Sequence, residues 1–370
     1  MTADFDFKAG RQTGDSLIDF DHDNALIVKF PEAGNQMVTL RNVITFPGLT
    51  NSHDHLEFNL FPFLANKIYD DYRSWGADIH AQNKTRIDEV LSIPLALRIK
   101  WGILKNIICG ITAVVHHGGH HDLIKTFPYP VFLNYQYLHA LDTEPFWKVK
   151  LNLVLRNKVL MIHTGEGTNQ RSHNEITRLI HWNLFNRKVI GIHAIQMDEH
   201  QCKNFTAIVW CPDSNIKLYG KTAAVDTLKL HTTILFGTDS SVSASSSIWD
   251  QLRCAHALNL LSDEEIFESL TALPSKVFPE INQKGNLVVA KKKADHVWDS
   301  FFKINPEDLL IVAIENKIVL IDQSITDFPL VDYIPIRVGK SVKLIQKFWG
   351  SVIQELEEKR VLLPLDVSTI

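Results

Sequence analysis

The sequence is poor in cysteine and contains no long apolar run. Its four cysteines, Cys109, Cys202, Cys211 and Cys254, lack the close spacing of a zinc knuckle or a disulfide framework. This cysteine usage is typical of a reducing compartment, and the polar first residues lack the apolar core of a signal peptide, so we expect a cytoplasmic protein. No apolar stretch reaches the roughly 18 residues needed to cross a bilayer, so we expect no membrane partner.

The net charge is also small. The 38 basic and 42 acidic residues give −4, which argues against the basic footprint of a nucleic-acid-binding protein. With 370 residues, 45% of them hydrophobic, the chain can bury one large core. A homodimer is left open, because these patterns do not define an oligomeric state. Histidine, by contrast, is abundant, with 17 residues, so its positions carry the functional argument.

From about residue 48, short apolar runs alternate with longer helical patterns. This alternation predicts a parallel sheet, and about eight such units would close a (β/α)8 barrel. We count seven strand candidates and expect a missing or distorted strand between Leu138 and Val159, where WKVKLNLVLRN could form a helix or an irregular strand. The candidates are GLTNSHDH, GITAVVHH, PVFLNYQYL, KVLMIHTG, KVIGIHA, TAIVWCP and TTILFGTDS.

Both ends of the chain differ from this pattern. Residues 1–47, with segments such as SLIDFD and ALIVKF, and residues 279–330 have β character and predict a small β-sandwich built from both chain ends. Residues 48–278 are predicted to form the barrel. Residues 331–370 are predicted to form a C-terminal helical extension, because SVKLIQKFWGSVIQELEEKRVL is amphipathic with a period near 3.6.

The first predicted barrel strand ends in His53-Asp54-His55. Side chains alternate along a strand, so His53 and His55 lie on the same face. Two imidazoles on one face at one strand end are suited to bind a metal ion. The pattern alone is weak, because two such histidines can also occur without a ligand role.

Further candidates end later strands. His163 ends one strand with Glu166 three residues on, His193 ends the next, and Asp239 follows the last. The carboxyl ends of parallel barrel strands lie on one rim, where active sites are built. We therefore expect these four residues to converge on the first histidine pair. This ordered series is far more specific than any single member.

In these motifs the chain resembles the amidohydrolase superfamily, and within it the aminohydrolase branch that includes guanine deaminase, adenosylhomocysteine deaminase and the triazine hydrolases. The resemblance covers about residues 43–322. Its most branch-specific motif runs from Cys211 to Leu218. The matching segments are FPGLTNSHDHL, MIHTGE, IGIHA, VWCPDSNIKL, ILFGTDSSVSAS and GNLVVAKKKADHVWD.

The resemblance implies one divalent metal ion, zinc with Fe²⁺ as the alternative, bound by His53, His55, His163 and Asp239. Relatives with two metals carry a carboxylated lysine at the end of strand four. The segment PVFLNYQYLHAL contains no lysine, which disfavours a second ion. Lys148 and the nearby Lys150 keep that question open.

The implied reaction is hydrolytic deamination of an amino-substituted nitrogen heterocycle, of purine, pyrimidine or triazine type, by a metal-activated water. Glu166 would transfer protons as general base and then general acid, and Asp239 would accept a proton from the water. His193 would stabilise the developing tetrahedral centre. Three alternatives stay open: a cyclic amide hydrolase resembling imidazolonepropionase, a dehalogenating hydrolase, and a barrel used only for binding.

Substrate contacts are the least determined part of the site. His117 and His120 on the predicted rim, and Gln136 near the end of strand three, are candidate contacts for the small heterocyclic substrate. The histidine-rich stretch could equally be a polar loop open to solvent. The aromatic segment 56–80 could form a lid over a flat ring or pack outside the barrel.

Overall fold

The structure is a computed structural model that describes residues 18–20, 25–30, 36–153, 158–326 and 329–370. It has a mixed α/β fold with parallel and antiparallel sheets. The chain divides into a terminal unit, formed by Met1–Leu49, Ile103–Thr112 and Asn282–Ile370, and a central unit, formed by Thr50–Gly102 and Ala113–Ile281. Of the predicted β segment SLIDFD, only Ile18–Phe20 lies within the described residues.

The strands alternate with helices through the middle of the chain, as the sequence pattern predicts. The strands are β1 (Ile18–Phe20), β2 (Leu26–Phe30), β3 (Gln36–Leu40), β4 (Val43–Pro47), β5 (Leu49–Asp54), β6 (Ile111–His116), β7 (Val131–Phe132), β8 (Gln136–Tyr137), β9 (Leu160–Thr164), β10 (Val189–His193), β11 (Ala207–Trp210), β12 (Thr233–Phe236), β13 (Leu287–Lys291), β14 (Leu309–Ile314), β15 (Lys317–Asp322), β16 (Tyr333–Val338), β17 (Ser341–Gln346) and β18 (Val367–Thr369).

Most helices follow a strand of the parallel sheets. The α-helices are α1 (Tyr72–Gln82), α2 (Lys84–Ser92), α3 (Leu95–Ile108), α4 (Trp147–Leu153), α5 (Gln170–Trp182), α6 (Glu199–Cys202), α7 (Pro212–Tyr219), α8 (Val225–Leu228), α9 (Ile248–Leu258), α10 (Asp263–Glu268), α11 (Ala272–Val277), α12 (Val297–Phe302) and α13 (Lys347–Glu358). Among the described residues, no helix is long and apolar enough to span a membrane.

Parallel strands form two sheets that position the candidate site. One sheet has the order β12-β11-β10-β9-β8, and the other has the order β5-β6-β7. A parallel bridge between Asp54 and Asp239 connects the end of β5 to the segment after β12. Alternate residues of the strands, such as Ile190 and Ile192 of β10, are buried in one apolar cluster. The strong apolar character of these strands follows from this burial.

The extra strand does not lie where the sequence pattern predicts it. The single candidate PVFLNYQYL is two strands of two residues each, β7 and β8, which pair with β6 and β9 respectively. In the expected gap the chain forms α4, and residues 154–157 of WKVKLNLVLRN lie outside the described part. Two-residue strands are too short to produce a separate period in the sequence, which explains the error.

In the terminal unit, β1-β2-β3 form one antiparallel sheet and β4 joins six later strands in another. Leu26 and Val28 of β2 belong to the same buried cluster as Val289 and Ile311 of the larger sheet.

The prediction of a helical extension over 331–370 is wrong for most of that region. Residues 341–346 form β17, and only Lys347–Glu358 is helical. Lys343 occupies a buried position of this strand, and its Nζ donates to Asp322 Oδ2 at 2.6 Å. A charged residue at an inward-facing position interrupts the alternation of apolar and polar residues by which a strand is recognised in a sequence.

Candidate metal centre

The first two candidate residues lie at the end of β5. His53 is fully buried and His55 is 7% exposed. Asp54, between them, points elsewhere, because its carboxylate accepts hydrogen bonds from Asn51 Nδ2 at 3.2 Å and Asn59 Nδ2 at 2.7 Å. Side chains alternate between the two faces of a strand, so the two imidazoles lie on one face and the Asp54 carboxylate lies on the other.

Four donor groups converge beside this strand end. The Nε2 atoms of His53 and His163 are 3.3 Å apart, and Asp239 Oδ1 lies 3.7 Å from His53 Nε2 and 3.6 Å from His55 Nε2. Zinc bonds to nitrogen and oxygen of about 2.05 Å place tetrahedral ligand atoms about 3.3 Å apart. The observed separations are close to this spacing. Three nitrogens with one oxygen suit a divalent ion, to which a water or substrate would add as a fifth ligand.

The protonation of these groups also suits a cation. Burial lowers the pKa of His53, and lowers the pKa values of His55 and His163 well below the ordinary value, so these imidazoles are neutral and keep a free electron pair at neutral pH. Burial alone would raise the pKa of Asp239, but its contact with His53 and the other imidazoles lowers the pKa below its usual range. The cluster therefore presents three neutral nitrogens and one carboxylate.

Asp239 is held by two hydroxyl groups. Ser214 Oγ and Ser243 Oγ donate to Oδ2 at 2.8 and 2.7 Å, which leaves Oδ1 directed toward the histidines. Its backbone N–H donates to the carbonyl of His53 at 3.0 Å, and its φ is 58°, in the left-handed region. Such backbone conformations are costly and are often found at functional sites.

Glu166 and His193 form a pair beside the metal ligands. Their Oε2 and Nε2 atoms are 3.7 Å apart, and burial raises the pKa of Glu166. The Tyr219 hydroxyl donates to Glu166 Oε1 at 2.6 Å. A carboxyl group with a raised pKa next to an imidazole is suited to take up and release a proton near neutral pH.

The tautomer of His193 follows from its partner. Its Nδ1 is 2.9 Å from Asn215 Oδ1, and Asn215 Nδ2 donates to Thr222 Oγ1 at 3.1 Å. The second bond orients the amide so that its oxygen faces the ring. His193 Nδ1 therefore carries a proton, and the free electron pair of a neutral ring lies on Nε2, toward Glu166.

Helix α7 supports three site residues at once. Ser214 binds Asp239, Asn215 binds His193 and Tyr219 binds Glu166. The helix begins with a proline at its first position, Pro212, and ends at Gly220 with φ of 64°. The sequence motif was recognised, but these three supporting roles were not, because hydrogen bonds between distant segments leave no local pattern.

A cavity of about 720 Å³ opens onto the site. Its polar end contains His55, His163, Glu166, His193 and Asp239. Much of the remaining wall comes from the aromatic segment 56–80, which therefore lines the cavity instead of packing outside it. The apolar wall residues are Phe58, Phe61, Leu64, Trp75, Ala77, Ile79, Ile87, Leu91 and Val242.

The three predicted substrate contacts are absent from this lining. His117 is fully buried behind the cavity, with its ring 4.6 Å from that of His163. The Gln136 amide is engaged by Arg187 and by the carbonyl of Lys150, so its position offers no support for a substrate contact. The ring of His120 packs 5.2 Å from Tyr135.

His139 also lines the cavity, although the sequence favours a structural or exposed position for it. Its ring lies 4.8 Å from that of His163. The order of strand ends could have identified it, because His139 lies two residues after β8, but the two-residue strand gave no signal.

Solved structures with the same fold are numerous. An adenosine deaminase from Xanthomonas campestris with bound zinc has 15% identity, covers 82% of this chain and 90% of its own, and has a TM-score of 0.62. Guanine deaminase of E. coli has 13% identity, coverage of 75% and 85%, and a TM-score of 0.58. A mutant atrazine chlorohydrolase from Arthrobacter aurescens, complexed with zinc and atraton, has 12% identity, coverage of 81% and 92%, and a TM-score of 0.51.

No protein-family model matches the chain, and no curated protein matches its sequence. The similarity to the solved structures therefore rests on the fold. The chain has the fold of solved adenosine and guanine deaminases and of a triazine hydrolase. The resemblance that the sequence indicates is confirmed at this level.

Proposed function

We propose that this protein is a metal-dependent hydrolase that deaminates an amino-substituted nitrogen heterocycle of purine, pyrimidine or triazine type. The observation that carries the proposal is the Glu166–His193 pair, which lies next to three neutral imidazoles and one carboxylate at the end of a largely apolar cavity. A scaffold or binding protein would have no need of this combination of buried ionisable groups.

The proposed architecture around the site is a distorted (β/α)8 barrel formed by β5–β12. The bridge between Asp54 and Asp239 supports closure between the first and last of these strands. The buried cluster common to both sheets of the terminal unit supports the predicted small β-sandwich.

The proposed cofactor is one divalent ion held by His53, His55, His163 and Asp239. Zinc is the first candidate and Fe²⁺ the second, because zinc favours three nitrogens and a carboxylate with tetrahedral spacing. When bound, such an ion lowers the pKa of a water from about 15.7 toward 7. The facing Nε2 atoms of His53 and His163, 3.3 Å apart, support this assignment, because one cation can accept an electron pair from both.

The chain's own residues then handle the protons. Glu166 would remove a proton from the attacking water and transfer it to the ring nitrogen, and would then carry the remaining hydroxyl proton to the amino group, which leaves as ammonia while the carbonyl forms. Its raised pKa brings its proton affinity closer to the working pH. His193, held by Asn215 through Nδ1, would accept a hydrogen bond at Nε2 from the attacking water and afterwards from the hydroxyl of the tetrahedral centre.

The cavity wall supports a flat, apolar substrate. Phe58, Phe61 and Trp75 offer aromatic faces, and few charged groups line the space. The solved structures of similar fold include enzymes named for adenosine and guanine deamination. The loops that follow the strands determine which substrate such a fold binds, so the type of heterocyclic ring is proposed here along with the reaction.

Dehalogenation is the second candidate, since a chlorohydrolase is among the proteins of similar fold. The decisive experiment loads metal-free protein with Zn²⁺ and screens amino- and chloro-substituted heterocycles, measuring ammonia and chloride separately. We expect ammonia release that Glu166→Gln lowers roughly 10²- to 10⁴-fold while bound metal is retained. Chloride without ammonia would favour the second candidate, and equal turnover by Glu166→Gln would refute the proton-transfer role.

A further inference from the structure

His117 is buried without any visible partner for its polar atoms. It is 0% exposed, and neither of its ring nitrogens has a hydrogen-bond partner among the described residues. The ring stacks at 6.2 Å on Tyr135, whose own hydroxyl donates to the carbonyl of His116. A buried imidazole normally has at least one of its two nitrogens satisfied, so this one calls for a ligand.

The surroundings of His117 favour a cation as that ligand. Neither nitrogen of the buried His117 ring is used in a hydrogen bond among the described residues, so its electron pair is available to a cation. One nitrogen from each of His117, His139 and His163 lies within 4.8 Å of the others, the same limit that holds for His53, His55 and His163. Three imidazoles at this spacing form a set of nitrogen donors suited to a divalent transition metal.

His163 belongs to both groups of donors. Its ring is 5.0 Å from that of His53, and 4.6 Å and 4.8 Å from those of His117 and His139. His117 follows β6 and His139 follows β8, so the second group comes from strand ends other than β5. Because both groups need His163, an ion in one position competes with an ion in the other.

We propose that His117, His139 and His163 form an alternative position for a divalent transition-metal ion, next to the position bound by His53 and His55. The alternative position contains no carboxylate, so it should hold the ion more weakly. His139 also lines the cavity, which connects this position to the substrate space. A metal ion that has left the His53–His55 pair can therefore stay bound next to the cavity by His117, His139 and His163. The proposal uses the same cluster as the proposed function, but it does not depend on any reaction.

The test removes the first position and asks whether an ion still binds. Metal-free His53→Ala/His55→Ala protein is dialysed against graded Zn²⁺ and analysed for bound metal, and Co²⁺ absorption reports the ligand field. We expect about one ion per chain, bound roughly 10- to 100-fold more weakly than by the unmodified protein. Adding His117→Leu should abolish this binding, whereas His120→Leu, next to the cluster but outside it, should not.

Two results would overturn the proposal. One is a folded His53→Ala/His55→Ala protein, with unchanged circular dichroism, that binds no metal. The other is metal binding that persists after His117→Leu. If the alanine variant does not fold, His53→Asn/His55→Asn carries the same test. No substrate enters the measurement, so failure of the deaminase proposal would leave a positive metal result intact.

Discussion

The hydrogen bond from the Tyr219 hydroxyl lowers the proton affinity of Glu166, and replacing Tyr219 by Phe tests the proposed role of Glu166 most directly. Tyr219 donates to Glu166 Oε1 at 2.6 Å, inside a buried environment that raises the pKa of Glu166. This hydrogen bond favours the ionised carboxylate and so opposes the effect of burial. Replacing Tyr219 by Phe should therefore raise the pKa of Glu166 further.

The size of the change follows from the energy of the bond. A hydrogen bond to a charged group contributes about 1.5–3 kcal/mol, and one pKa unit corresponds to about 1.4 kcal/mol. Loss of this bond should raise the pKa of Glu166 in Tyr219→Phe, and the free-energy change of about 1.5–3 kcal/mol corresponds to a factor of roughly 10 to 100 in the balance between ionised and protonated carboxyl. As a general base Glu166 must be ionised, so activity below the new pKa falls roughly 10- to 100-fold and recovers as the pH rises.

The measurement is kcat/KM for ammonia release as a function of pH. We expect the acidic limb of the profile to move to higher pH in Tyr219→Phe, with nearly the same plateau above it. Tyr69→Phe is a matched control, because its buried ring packs in the same cluster while its hydroxyl bonds to Asp78. An acidic limb that does not move, or a loss equal at every pH, would refute the reasoning.

Three further outcomes follow from other contacts. Ser214→Ala removes one of the two hydroxyls that orient Asp239, and metal affinity measured by equilibrium dialysis should fall roughly 10-fold or more. His163→Ala removes a donor from both ligand groups, so elemental analysis should find no stoichiometric metal; full occupancy would reject the ligand assignment. Burial raises the pKa of Glu175 to about 7, above its unfolded value, so the folded protein binds the extra proton and its stability falls as the pH rises from about 4.5 to 7. Glu175→Gln should flatten this part of the pH dependence of urea unfolding by up to about 3 kcal/mol, and an unchanged slope would contradict it.

The sequence predicted the parallel strands and the convergence of their ends because both depend on short-range patterns. Buried strands such as β9 and β10 are continuous apolar runs, and the residues that end them must lie on the same edge of a parallel sheet. The structure brings Asp239 Oδ1 within 3.7 Å of the Nε2 atoms of His53 and His55, so these residues converge as expected. Their role as metal ligands stays a prediction until metal is measured.

Other features had no such local signal. The eighth strand is two residues long, and β17 carries a buried lysine whose charge is balanced by Asp322 from another strand. Neither feature changes the periodicity of the sequence in the way that an ordinary strand does. The local pattern therefore merges β7 and β8 into one strand candidate and indicates a helix where β17 lies.

The sequence by itself determined which chemical groups end the parallel strands, because that depends on neighbours a few residues away. Tertiary structure alone decided how those groups are held. Helix α7 bonds to three of them across 22 to 53 positions of sequence, and His117 lies against His163 with neither ring nitrogen hydrogen-bonded to any residue that the structure describes. Such contacts depend on the packing of separate elements, and that packing determines proton affinity and ligand geometry at this site.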